Sequence, residues 1–342
     1  MDTVKIGYLG YGSHLPSMIV TNEDLERIVD TSDEWIQQRT GIKTRRIMRK
    51  DESVLSMAVG AARRAISDAG LSPGDIGDIR VGVNTWNRFP SLATQVQKIL
   101  GIKGSSASDV SAGCAGFIYA VEDAYNKIVM EKAKYGRECV SLVIGVDGLS
   151  LVLDWTDRTT CVLLGDGAGA VVVGETDDNE ILATYTEAEG QHGDLLYLDE
   201  VFENQLLDGE CVAFSHEEKS TRPYIHMEGR KVFPVAVRTM VSNIRKVLGR
   251  YNANTHEGSI DLSEIDYVYP HQANLRIIKA IAQSLRLPLE NVYTEGIQKY
   301  GNTSAASIPI GYDETRHKIK GKLVVDVAFG SGFASGAILR RA

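Results

Sequence analysis

The chain has 342 residues, 43% of them hydrophobic and 24% charged, with a formal net charge of -8. That is enough for two domain-sized cores, and the acidic balance argues against broad nucleic-acid binding, which needs a basic surface. No apolar run reaches membrane-spanning length and no signal-peptide pattern opens the chain, so a cytoplasmic location with no membrane partner is expected.

In chain order, Val4 to Gly10 reads as a strand, and periodicity predicts a helix over 57–69. The run LSPGDIGDIRVGV (71–83) leads into a strand over 81–85, a helix follows around Ala93 to Leu100, and in DVSAGCAGF (109–117) a strand turns into an apolar helix. Strands are expected at 140–146, 162–164 and 170–174. Between the last two, GDGAGA (165–170) reads as a tight turn, since no Lys-Ser/Thr follows as a phosphate loop requires. Past Gly174 the acidic run ETDDNE (175–180) opens a polar stretch to about residue 224, HEEKSTRP (216–223) included. It reads as a surface excursion with some strand and no catalytic role. A helix over 238–248, a strand over 266–269, a helix over 275–285, GNTSAAS (301–307) before a small-residue helix, and strands at 322–328 and 335–340 complete the pattern.

The order of these elements repeats. Ile79 matches Ile265 at an offset of 186, Gly113 matches Gly301 at 188, and Leu142 matches Leu323 at 181. Strands alternating with helical runs indicate an α/β layered architecture, divided into halves over 1–174 and 175–342.

Three residues could carry chemistry. Cys114 follows the small residues Ser111, Ala112 and Gly113, which leave room for a ligand, and lies at a helix start, whose dipole and unpaired N–H groups favour thiolate. By position alone it reads first as a small buried hydrophobe, as most free cysteines are. His271, in HQANLRI (271–277), stands at a strand end, where α/β proteins place catalytic groups, and no orienting carboxylate is evident for it. Asn302 by itself suits a turn or cap, but the 188 offset sets it opposite Cys114. FGSGFASG (329–336) joins two strands, and its N–H groups could line an oxyanion hole. Four cysteines without paired spacing and seven scattered histidines give no support for a metal site or a disulfide scaffold.

These motifs, together with TSDEWIQQRTGI (31–42) and DRTTCVLLGDGAGA (157–170), resemble the thiolase-fold condensing enzymes nearly end to end, and among them the β-ketoacyl-acyl-carrier-protein synthase III family. The resemblance implies a five-layered α-β-α-β-α fold of two pseudo-symmetric halves and a homodimer without cofactor. It implies a decarboxylating Claisen condensation of an acyl-CoA primer, its substrate, with malonyl-acyl-carrier protein, initiating fatty acid synthesis. Cys114 would carry the acyl group, the backbone N–H groups of Cys114 and Ser331 would form the oxyanion hole, and His271 and Asn302 would donate hydrogen bonds to the malonyl thioester. Trp35, Arg39, Arg158 and Asn274 would bind coenzyme A, Phe89 would reach the partner's acyl pocket, and Arg276 and Lys279 would dock the carrier protein. Pro234, Arg230, Ser335 and the compact NTWNRFP (84–90) depart from the usual pattern. They leave room for a related acyltransferase of secondary metabolism that uses the same Cys-His-Asn site with another acceptor.

Overall fold

The computed structural model describes residues 4–198, 224–256 and 258–342. Its main sheet contains β1 (Ile6–His14), β2 (Asp78–Gly82), β3 (Ser106–Val110), β4 (Ser141–Gly148), β5 (Asp166–Glu175), β6 (Glu180–Ala188), β7 (Tyr267–Pro270), β8 (Leu323–Phe329) and β9 (Ala334–Arg341), in spatial order β7-β8-β9-β6-β1-β5-β4-β2-β3. One register pair, Gly7 with Glu180, joins β1 to β6. On either side of that seam the pairing pattern is the same: β2 is parallel to β4, β4 antiparallel to β5 and β5 antiparallel to β1, as β7, β8, β9 and β6 are to one another.

Ladder register refines the repeat. Ile79 pairs with Leu142 and Val268 with Val325, and all four face the outer helices, so Ile79 corresponds to Val268 rather than Ile265. Leu142 corresponds to Val325 rather than Leu323. Gly113 and Gly301 keep the predicted match, and both have positive φ, 54° and 66°.

The layers follow from alternation along strands buried on both faces. In β4, Leu142, Ile144 and Val146 face an outer core with α1 (Val54–Asp68) and α2 (Leu92–Leu100), while Val143 faces inward. In β8, Val325 and Val327 meet α4 (Gly229–Asn254) and α5 (Leu275–Leu285), while Val324 and Ala328 face inward. Between the two inner faces lie α3 (Gly116–Tyr135) and α6 (Ser307–Thr315). An ion pair is sealed in this middle layer: Arg340 Nε donates to Asp326 Oδ2 at 2.9 Å, both side chains are fully buried, and the guanidinium lies 4.7–5.8 Å from the rings of Tyr8, Tyr269 and Tyr312.

Four expectations need correction. GDGAGA is the beginning of β5, not a turn; a Cβ on Gly169 would come within 2.6 Å of the Ile310 nitrogen, so glycine is there because α6 crosses the strand closely. Residues 162–164 form a buried turn rather than a strand, held by the Arg45 guanidinium on the Val162 carbonyl at 2.9 Å. Residues 180–188 are a full strand of the main sheet and not surface excursion; their polar side chains have partners, Thr184 and Thr186 on Glu122 and Glu187 on Lys246. The helix expected at 238–248 begins at Gly229 and continues through Pro234, which leaves the Arg230 carbonyl without its usual i+4 donor. Cys211 and residues 216–223 lie outside the described residues. No described helix is long and apolar enough to cross a membrane.

Candidate active site

The chain leaves β3, passes Gly113 at φ 54° and enters α3 at Gly116, which sets Cys114 just before the helix. Loop 330–332 crosses this turn in backbone contact. A Cβ on Gly330 would collide with the Cys114 nitrogen, and one on Gly113 would sit 2.5 Å from that of Ser331, so both positions need glycine. The N–H groups of Cys114 and Ser331 have no hydrogen-bond acceptor among the described residues, which leaves two donors beside the sulfur.

His271 follows β7, its N–H donating to the Val327 carbonyl at 2.8 Å. The ring is buried against Phe329, and Nδ1 lies 2.8 Å from Ser307 Oγ. That hydroxyl already accepts from the Gln272 N–H, and Nδ1 is the one acceptor for its proton among the described residues. Nδ1 is therefore unprotonated and Nε2 carries the hydrogen. Burial lowers the imidazole to about 3, so it is neutral at physiological pH. Asn302 is clamped at both backbone groups, its N–H on the Leu163 carbonyl and its carbonyl on the Gly165 N–H, each at 2.9 Å. Its Oδ1 accepts from the Ser304 N–H at 2.8 Å, leaving Nδ2 available to donate.

These three side chains line one cavity of about 200 Å³. Its walls are apolar, with Leu149, Leu163, Ile225, Val232, Phe233 and Ile277 among them. Its floor holds a polar cluster that sequence reasoning missed: Ser304 Oγ donates to Cys114 Sγ at 3.3 Å, Asn84 Nδ2 contacts Ser304 Oγ at 3.3 Å, and fully buried Asp147 accepts from Asn84 and Thr85 at 2.8–3.0 Å. A lone aspartate closing the apolar strand SLVIGV was the available signal. Asp147 also corrects the expectation that the helix start favours thiolate. Burial first, and then the Asp147 charge, push Cys114 up to about 12, with only the Ser304 hydrogen bond pulling strongly the other way. The resting group is the thiol.

Two family models match the chain, 3-oxoacyl-[acyl-carrier-protein] synthase III over residues 108–190 and its C-terminal model over 256–342. The β-ketoacyl-[acyl-carrier-protein] synthase III of Aquifex aeolicus is 46% identical over 338 residues, covering 97% of this chain and 98% of that protein. The chain belongs to the β-ketoacyl-acyl-carrier-protein synthase III family. It is therefore a condensing enzyme of the acyltransferase kind. The solved synthase III of Aquifex aeolicus superposes with a TM-score of 0.84 at 44% identity, covering 99% of this chain and all of that one. The priming β-ketosynthase of the R1128 polyketide pathway superposes at 0.83 with 28% identity, covering 100% of this chain and 98% of that one. Thiolase-like architecture is thus common to fatty acid and polyketide relatives.

The remaining sequence-predicted residues of this synthase III chain fall in three places. Of the four residues expected to bind coenzyme A, Asn274 lines the cavity, and behind it Trp35 has the guanidinium groups of Arg158 and Arg39 at 5.3 and 5.9 Å from its ring. Asn274 caps α5, accepting from the Arg276 N–H at 2.8 Å and donating to the Arg39 carbonyl at 3.1 Å. Arg276 and Lys279 are exposed on α5, Arg276 lying 5.6 Å from the Phe233 ring. Phe89 stands apart in the loop between β2 and α2, almost wholly exposed.

Proposed function

We propose that the protein joins an acyl-CoA primer to malonyl-acyl-carrier protein, with release of carbon dioxide, in the step that begins fatty acid synthesis. The observation that carries this reading is one apolar-walled cavity presenting a cysteine, a neutral histidine with Nε2–H, and an asparagine amide.

In the first half-reaction the Cys114 sulfur attacks the thioester carbonyl, and the negative charge on its oxygen is met by the N–H groups of Cys114 and Ser331. The bond to coenzyme A breaks, and coenzyme A leaves as a thiol; in net terms it takes the proton that Cys114 gave up. His271, neutral down to about pH 3, is a donor here and not a base. In the second half-reaction His271 Nε2–H and Asn302 Nδ2 hold the malonyl thioester oxygen. Loss of carbon dioxide leaves its electron pair as an enolate on that oxygen, and the carbon attacks the acyl carbonyl. The Cys114 sulfur is expelled and regains a proton.

Trp35, Arg39, Arg158 and Asn274 are assigned to coenzyme A, an aromatic face and guanidinium groups suiting adenine and phosphates. Arg276 and Lys279 are assigned to the acidic carrier protein. Phe89, 94% exposed, is the contact expected to enter the acyl pocket of a second copy in a cytoplasmic homodimer. The working division into halves at Gly174 rests on the repeat of strand pairing either side of the β1–β6 seam.

The test is intact-mass measurement after incubation with a panel of acyl-CoAs, then malonyl-carrier protein and product analysis. An acyl adduct on Cys114 that disappears with release of a β-ketoacyl-carrier product is expected. An adduct discharged only to some other acceptor would favour the secondary-metabolism reading, which the likeness to the R1128 ketosynthase keeps in view.

A further inference from the structure

We propose that the Ser304 hydroxyl is a catalytic hydrogen-bond donor to the Cys114 sulfur, directed onto it by Asn84 and the buried Asp147 carboxylate. The proposal rests on Cys114 being the nucleophile. One face of Asn84 is fixed by Asp147, whose Oδ1 takes the Asn84 N–H at 2.8 Å and whose Oδ2 takes Nδ2 at 2.8 Å. The second hydrogen of Nδ2 is shared between the Gly113 carbonyl at 3.1 Å and, as the weaker arm, Ser304 Oγ at 3.3 Å. The one hydrogen of Ser304 Oγ then has two acceptors to serve, Cys114 Sγ at 3.3 Å and the Asp147 carboxylate, and of these only the sulfur lies within hydrogen-bond geometry among the described residues. Thr85 locks the base of the arrangement by donating to Asp147 at 3.0 Å and accepting from the Gly148 N–H at 2.9 Å.

The backbone at Ser304 is unusual. Its φ is 52°, a conformation disfavoured for residues with a Cβ, and it sets the two ends of one residue to different tasks. The N–H holds Asn302 Oδ1 while the hydroxyl holds the sulfur. A glycine would take this conformation without strain, so the side chain is what serine adds.

The sulfur also needs such a donor. Of the titratable groups around the cavity, Asp147 on β4 repels a thiolate, His271 after β7 is neutral, and Tyr197 brings no positive charge; among the described residues no Lys or Arg lines it. Stabilisation of the attacking and departing sulfur falls to hydrogen bonds, those to a charged sulfur being stronger than those to a neutral one.

The test uses the full-length protein and iodoacetamide, with mass spectrometry reading alkylation at Cys114 between pH 6 and 9. The wild-type rate should climb about tenfold per pH unit across this window, since the thiol titrates above it. Ser304→Ala and Ser304→Gly should give parallel lines roughly tenfold lower, as expected for losing a hydrogen bond to a charged group. Acylation by acyl-CoA should fall in step while coenzyme A affinity is unchanged. Asn84→Ala should lower the line by about threefold, freeing the hydroxyl rather than deleting it. A folded Ser304→Gly protein that alkylates at the wild-type rate overturns the proposal, and so does one in which acylation falls but alkylation does not. Failure of the nucleophile assignment would look different: the wild-type acyl adduct would map to a residue other than Cys114.

Discussion

The two central helices begin at equivalent places in the two halves and carry opposite chemistry. At the start of α3 the functional groups are a sulfur and two backbone N–H donors, crossed by loop 330–332. Ahead of α6 they are side-chain donors on a turn, Asn302 Nδ2 and the Ser304 hydroxyl, joined by His271 from the end of β7, braced by Ser307. The helices differ to match, α3 running for 20 residues and α6 for nine. The repeated backbone determines where groups meet, and a few side chains determine which of them reacts and which holds charge.

The sharpest way to break this division is Cys114→Ala, which should abolish the acyl adduct on incubation with acyl-CoA. An adduct persisting elsewhere would show that the first half does not supply the nucleophile. Next in size, Asn302→Ala should lower the condensation rate by about 10²-fold, the usual loss for an oxyanion donor, with acylation nearly unchanged in a single-turnover assay. An equal fall in both steps would merge the two roles.

His271 offers a test through stability. Burial takes its folded-state value to about 3 from an ordinary 6.5, so as pH falls the unfolded chain takes up the proton first. Stability is full above 6.5 and is lost on the way down to about 3; from pH 7 to pH 5 the loss from this group is about 2 kcal/mol. Urea unfolding at the two pH values should show that loss in the wild type and not in His271→Asn.

Gly145→Ala probes the contact between halves, since a Cβ there would strike the Ala305 carbonyl in the turn behind Asn302. A destabilisation of about 1–3 kcal/mol is expected by thermal unfolding, with condensation slowed. The smallest effect is behind Asn274. Trp35→Ala should raise KM for acyl-CoA by about fivefold, on the scale of one exposed cation–π contact, and leave kcat close to wild type.

Much of this was legible in the chain. Cys114, His271 and Asn302 stand in runs whose apolar or small neighbours mark strand-to-helix turns, and the 188 offset brought two of them together. What misled were residues whose reason lies in another layer. Gly167 and Gly169 look like a turn, yet they are strand positions that α6 crosses. Val162 to Leu164 are apolar because they wall the cavity and pack in the core; their pairing is a single bridge, Leu164 with Asn302, and not a strand. Glu180 to Ala188 look solvated, although their threonines and glutamates are satisfied by α3 and α4. Ser304 was hidden for a related reason: nothing local says that its hydroxyl meets a sulfur 190 positions away.

The sealed Arg340–Asp326 pair bears on how the molecule comes apart. Tyr8 belongs to the first strand of the chain, and Tyr269, Tyr312, Asp326 and Arg340 to its last quarter, so opening the β1–β6 seam would pull one wall, Tyr8, off the buried pair and expose it on that side. Partial opening is thereby penalised relative to complete melting. Heated in a calorimeter, the protein should give one endotherm with equal van't Hoff and calorimetric enthalpies, not two steps.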